Sequence, residues 1–160
     1  RMNPIPGIKG SLIIDSSYNA APASMVAALD VLAEFHPAEG SDKIAVLGHM
    51  AELGTQTEQE HRMIGLKVQE SGVDVLVTVG EMSRDIREGA IEAGMREENT
   101  VHFNDSVEAG RWLDANIKKG DIVLVKGSQS ARMERVVKDV MAEPLRAEEL
   151  LVRQAIKGLK

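Results

Sequence analysis

The 160-residue chain carries 19 Lys and Arg against 25 Asp and Glu, for a formal net charge of -6, with 43% hydrophobic residues and no cysteine. That length suffices for one well-buried core, the acidic balance lacks the clustered cations that follow a phosphate backbone, and the absence of cysteine excludes disulfides, thiolate catalysis and cysteine-ligated zinc. No apolar run approaches the ~20 residues of a membrane span and no secretory leader is visible, so a cytoplasmic protein that binds neither membrane nor nucleic acid is expected.

The opening Arg1-Met2-Asn3-Pro4-Ile5-Pro6-Gly7 holds two prolines and a glycine. It reads as the end of an interdomain linker over residues 1–10 and suggests a domain cut from a longer protein. Beyond it, β-branched apolar runs alternate with helical patterns, the signature of βαβ units. A strand over residues 11–15 precedes a helix over 23–34, where Met25, Ala28, Leu29, Leu32 and Ala33 recur at helical spacing. Pro22 suits the first turn of that helix. A strand over 44–47 ends at Gly48, and a helix over 58–71 stops at Gly72. A strand over 75–79 is followed by a helix over 83–93. A short strand over 100–103 leads to a helix capped by Asp105 or Ser106, which contains the single tryptophan, Trp112. The last strand, 122–125, runs into a helix over 131–141. Pro144 then breaks the pattern, and 147–157 reads as a separate helix in a tail over 144–160. The pattern predicts an α/β fold over 11–143, with a mostly parallel sheet of about five to six strands flanked by helices.

Three strands end in polar or glycine-bearing loops: Asp15 to Asn19, Gly48 to Gly54, and Lys126 to Ser130. In a parallel sheet these loops share one edge, where open α/β folds hold ligands. In the first, Asp15, Tyr18 and Asn19 suit a ligand hydroxyl, amine or phosphate-bearing group; equally, Asp15 and Ser17 suit helix capping and the loop's backbone groups. In the second, His49 with Glu52 or His61 admits a metal, although an isolated loop histidine is more often a hydrogen-bonding group. Lys126 at a strand end can face an anion at the next helix, or be simply solvated, which the bare spacing favours. Neither G-x-G-x-x-G, Walker A nor G-x-S-x-G occurs. His36 and His102 read as structural or surface residues, and Met25, Met63, Met95, Met133 and Met141 as core filling.

Taken together, the loops resemble one family. Asp15-Ser16-Ser17-Tyr18-Asn19-Ala20-Ala21-Pro22-Ala23-Ser24-Met25 is similar to D-D-S-Y-N-A-N-P-x-S-M of the Mur ligases that add D-alanyl-D-alanine to the UDP-N-acetylmuramoyl tripeptide. Val46-Leu47-Gly48-His49-Met50-Ala51-Glu52-Leu53-Gly54 resembles V-L-G-D-M-x-E-L-G, with His61 and Gly65 matching H-x-x-x-G. Gly120-Asp121-Ile122-Val123-Leu124-Val125-Lys126-Gly127-Ser128 resembles G-D-x-V-L-V-K-G-S, and Met133-Glu134-Arg135-Val136-Val137 the start of the family's next helix.

The resemblance implies the Rossmann-like carboxy-terminal domain of a three-domain, ATP-dependent amide ligase of peptidoglycan precursor synthesis, inactive when isolated. ATP and Mg2+ are then held mainly by a central domain with the phosphate loop, and the UDP-sugar by an amino-terminal domain. The carboxy-terminal domain closes over ATP and positions the incoming amine. On this reading Arg1, Asp15, Ser16, Tyr18 and Asn19 face the nucleotide, and His49, Glu52, Lys126 and Ser128 the substrate. No metal ligands are assigned in this chain, and a monomer is expected. The family's ribose-binding aspartate falls at Ser16, so either Asp15 takes over through a local shift or Ser16 makes a weaker bond. Ala21, His49 and Gln129 replace the family's asparagine, aspartate and arginine, which leaves open a related amine substrate. A free-standing binding module for a small anionic or amino-acid ligand is the alternative.

Overall fold

The computed structural model describes residues 2–142. Arg1 and the helix expected over 147–157 lie outside the described residues. The sheet has six strands in the order β1-β2-β6-β3-β4-β5: β1 Asn3–Pro6, β2 Leu12–Ser16, β3 Lys43–Gly48, β4 Val75–Val79, β5 Thr100–Phe103 and β6 Ile122–Lys126. All neighbours are parallel except β1, which pairs antiparallel with β2 from Asn3 opposite Asp15 to Pro6 opposite Leu12. Residues 3–6, expected as linker, are therefore an edge strand. Proline is tolerated there because an edge has one side with no ladder to serve.

Among the described residues five helices cover the sheet: α1 Pro22–Ala33, α2 Thr57–Glu70, α3 Arg84–Glu92, α4 Ser106–Asn116 and α5 Glu134–Val140. Side chains alternate along each strand, and buried strands expose neither face. Val46, Val77, Val123 and Val125 pack with Leu113, Val136 and Val140 from α4 and α5. Ala45, Leu47, Leu76 and Leu124 pack on the other face with Leu29, Ile64, Val68 and Ile86 from α1, α2 and α3. Met25, Met95, Met133 and Met141 fill these cores as expected, whereas Met63 is 55% exposed because it lies on the outer side of α2.

Glycines set two close approaches. A Cβ on Gly65 would lie 2.1 Å from the Ile86 carbonyl oxygen, and one on Gly89 would lie 2.1 Å from the Arg62 carbonyl oxygen, so α2 and α3 pack backbone against backbone. At the sheet edge, a Cβ on Gly127 would lie 3.0 Å from Gly48 Cα and 2.6 Å from Met133 Cγ. The strand-end glycines of β3 and β6 therefore let the two loops touch beneath Met133.

Helix starts follow local chemistry, with two departures from expectation. Asp105 caps α4 by accepting a hydrogen bond from the Glu108 N–H (2.9 Å), as expected. Neither Asp15 nor Ser17 caps α1; Ser24 does, accepting from the Ala21 N–H at 3.0 Å, with Pro22 at the first turn. The last helix begins at Glu134 rather than 131, because a short turn over Gln129–Ala131 ends in Arg132 at φ 54, a left-handed backbone that no α-helix continues through. Of the unassigned histidines, His36 is exposed and His102 Nδ1 lies 2.7 Å from Thr78 Oγ1.

Candidate functional site

Adjacent residues of a strand point to opposite faces, and this separates Asp15 from Ser16. Asp15, fully buried, accepts hydrogen bonds from the Ser17 N–H (3.0 Å) and the Ser17 hydroxyl (2.6 Å). Ser16, 1% exposed, sits opposite Lys126 in the β2–β6 register and accepts a hydrogen bond from its Nζ at 2.9 Å. The same ammonium donates to the Asn19 carbonyl at 2.8 Å. Lys126 is thus a buried strut that ties the β2 loop to β6, not the solvated lysine that bare spacing favours. Exchanging the roles of Asp15 and Ser16 would require a one-residue slip of a strand buried on both faces. Above the strut, Tyr18 and Asn19 are exposed, and the Asn19 side-chain oxygen accepts from the Ala20 N–H at 2.7 Å.

Burial pushes the Lys126 ammonium down to about 8, against the opposing pull of the Asp15 carboxylate. Desolvation of a charge wins here because Ser16 offers a hydroxyl where a second carboxylate would offer a counter-charge.

The loop after β3 rests on His61. This fully buried imidazole accepts from the Met50 N–H at Nε2 (2.9 Å), which leaves Nδ1 to donate to the Thr57 carbonyl (2.6 Å). Both ring nitrogens serve the backbone, so His61 is a brace between the 49–54 loop and the start of α2. The His49–His61 metal reading loses one of its ligands for that reason. His61→Ala strands the buried Met50 N–H, and an unpaired buried donor costs about 1–3 kcal/mol in addition to the bond itself. The expected result is a loss of about 2–4 kcal/mol in urea unfolding, with faster amide exchange at Met50.

His49 stands at the rim. Its Nε2 and Ser130 Oγ are 2.8 Å apart, and Ser130 Oγ and Ser128 Oγ 3.0 Å apart, while the Ser128 N–H donates to the His49 carbonyl at 2.9 Å. Burial, and secondarily His61, hold the His49 ring below its ordinary pKa, favouring the neutral form. Glu52 is exposed at φ 60, a left-handed backbone costing a non-glycine residue about 1–2 kcal/mol. Between the ends of β3 and β4 and the starts of α4 and α5 lies a cavity of about 190 Å3 lined by His49, Gly80, Asn104, Asp105, Ser130, Arg132 and Arg135, among others. A larger groove, about 550 Å3, runs between the outer sides of α2 and α3, away from these loops.

This fold has known counterparts. Residues 1–129 match the family described as Mur ligase, glutamate ligase domain. The chain belongs to the Mur ligase family. It is 33% identical over 146 residues to the UDP-N-acetylmuramoyl-tripeptide--D-alanyl-D-alanine ligase of Bacillus subtilis, covering 91% of this chain and 31% of that protein. The Escherichia coli ligase of the same name is 36% identical over 140 residues, covering 86% of this chain and 28% of its own length. Among solved structures, MurF of Acinetobacter baumannii superposes with a TM-score of 0.70 at 31% identity, covering 87% of this chain and 30% of that one. MurF ligase of Thermotoga maritima in complex with ADP superposes at 0.66 with 26% identity, covering 88% and 30%. The chain therefore spans about 30% of the length of the relatives it matches.

Within this Mur ligase domain the structure brings Asp15, Ser16, Tyr18, Asn19 and Lys126 together on the β2–β6 side, and His49 and Ser128 together on the β3 side. Asp15, Ser16, Lys126 and Ser128 are all buried. Glu52 stands apart, exposed on the outer turn of its loop. Sequence reasoning missed Ser130, Arg132 and Arg135. The K-G-S pattern pointed to the loop that carries Ser130, but no sequence signal marks the left-handed turn at Arg132 that brings both arginines to the cavity.

Proposed function

We propose that this chain is the closing domain of an ATP-dependent ligase that adds D-alanyl-D-alanine, or a related amine, to a UDP-N-acetylmuramoyl peptide in peptidoglycan precursor synthesis. The observation that carries this reading is the meeting of the β2, β3 and β6 loops on one sheet edge, with polar groups already braced by Lys126 and His61. In the reaction, ATP supplies a phosphoryl group that turns the substrate carboxylate into an acyl phosphate. The incoming amine then forms the new amide bond as the acyl carbon–oxygen bond breaks, phosphate departs with the electron pair, and the attacking nitrogen loses a proton.

The residues here position rather than activate. Tyr18 and Asn19 present the nucleotide-facing surface, supported from beneath by Lys126, Ser16 and Asp15. His49, Ser128 and Ser130 form the amine-facing wall, and Glu52, which stands apart from them, is left outside it. Placing two reactants in attack geometry is itself a large part of catalysis, and closing a domain over them is a known gating step. Among the described residues no group of three His, Asp or Glu could hold a metal ion; Mg2+, where the reaction uses it, is proposed to be held mainly by the central domain. By the resemblance to the family, Arg1, which lies outside the described residues, is the residue we propose to meet the ATP phosphates. The setting is cytoplasmic, and the working unit a monomer.

The test is an amine screen on the parent polypeptide, following ATP-dependent phosphate release and product mass. D-alanyl-D-alanine is expected to give the largest turnover. Turnover with a different amino acid or peptide instead would redirect the reading to a related ligase, an outcome that His49 and Gln129, which depart from the family pattern, make worth including. Failure with every amine in the presence of ATP would favour the free-standing binding module. The isolated 160-residue chain is expected to hydrolyse no ATP, since its strand-end loops contain no phosphate loop.

A further inference from the structure

We infer that the cavity between β3, β4, α4 and α5 is a carboxylate pocket, in which Arg132 and Arg135 clamp the free carboxylate of the incoming amine. This inference rests on the ligase reading and adds the residues that select the substrate. The cavity, at about 190 Å3, is smaller than the ~300–1,000 Å3 of sites that hold drug-sized ligands, and so suits a molecule of dipeptide size. Its charged lining is two guanidiniums against one carboxylate, that of Asp105, and one oxygen of that carboxylate already accepts the Glu108 N–H. The balance favours an anion. Among the described residues neither Arg132 nor Arg135 takes part in an ion pair, and both are exposed at the cavity wall.

The backbone places them there. Arg132 occupies a left-handed conformation at φ 54, which normally selects glycine, and the Arg135 N–H donates to the Arg132 carbonyl at 3.1 Å, so the two guanidiniums leave one tight turn. Planar forked donors match a carboxylate bidentately. The neutral His49 ring and the Ser130 hydroxyl, 2.8 Å apart, supply uncharged partners on the facing wall. Two inter-strand spacings, roughly 10 Å, separate β3 from β2 in the sheet. The pocket is therefore distinct from the nucleotide-facing loop, as a second reactant requires. Gln129, in the same loop, is not part of the lining.

The experiment compares D-alanyl-D-alanine with its carboxamide, D-alanyl-D-alaninamide, as amines for the parent polypeptide, in wild type, Arg132→Gly and Arg135→Ala. Glycine at 132 suits the left-handed backbone, so folding is preserved while the guanidinium is removed. For the acid, each variant is expected to raise KM by about 10–100-fold, the worth of one charge-assisted hydrogen bond, with kcat and the KM for ATP little changed. For the amide, wild type and variants should differ by less than about 3-fold. Equal losses on acid and amide, or a rise in KM for ATP in place of the dipeptide, would overturn the clamp. A wild type that ligates neither amine overturns the ligase reading and the clamp with it.

Discussion

Gly65→Ala is expected to be among the most destabilising glycine substitutions in the described residues. The new Cβ would stand 2.1 Å from the Ile86 carbonyl oxygen and 2.5 Å from the Ala90 nitrogen, both backbone atoms that no rotamer change can move aside. Overpacking a core typically costs 1–3 kcal/mol when side chains can yield; with backbone on both sides, about 3 kcal/mol or more follows. For a domain of this size that is a fall in Tm of about 6–12 °C. The consequence reaches the site. Parting α2 from α3 moves Thr57 and His61, and these hold the Met50 N–H at the start of the 49–54 loop. Thermal melts should therefore show the loss, and the His49 ring resonances should shift with it. A melting point within 2 °C of wild type, the effect of about 1 kcal/mol or less, would mean that the two helices are free to separate.

The second large effect is expected at Lys126. With the folded ammonium titrating near 8 and a free lysine near 10.5, the unfolded chain binds more protons between those values, so stability rises with pH across that window and is lowest below it. Lys126→Met removes the titration and flattens this part of the profile. It also removes both donors that tether the β2 loop, to Ser16 and to the Asn19 carbonyl. If, as proposed, that loop faces the nucleotide, losing the bonds that hold it is expected to lower ligation by the parent polypeptide about 10–100-fold, while far-UV circular dichroism stays native. Unfolding midpoints measured from pH 7 to 11 check the first half and steady-state kinetics the second. A Lys126→Met profile that still climbs between 8 and 10.5 would place the responsible group elsewhere.

Much of the fold is visible in residue order because parallel strands buried on both faces are written as unbroken apolar runs, such as Val75 to Val79, and each is followed by a helical period. The antiparallel β1 escapes that logic. Its two prolines read as linker, and only its partner β2 gives it the identity of an edge strand. The site divides in the same way. Three strand-end loops on one edge follow from topology alone, and the K-G-S and V-L-G glycines follow from the contact of Gly48 with Gly127. Yet the roles of Asp15 and Ser16 depend on which face of β2 each occupies, and that is settled by pairing with Lys126 across the sheet. Lys126 itself looks solvated in one dimension and is buried in three. Arg132 and Arg135 were hidden for a further reason: the left-handed turn between β6 and α5 falls on an arginine, where local propensity predicts continued helix.

On the proposed function, this domain completes a ligase site that it does not contain alone. The most direct test is D-alanyl-D-alanine-dependent phosphate release by the parent polypeptide, measured intact and with residues from Arg1 onward removed. Misplacing a reactant by about 1 Å already costs about 100-fold, so removal of the closing domain is expected to reduce amine-dependent release by more than that, with the removed chain contributing no hydrolysis of its own. Amine-dependent release that survives the truncation at the intact rate would contradict the account.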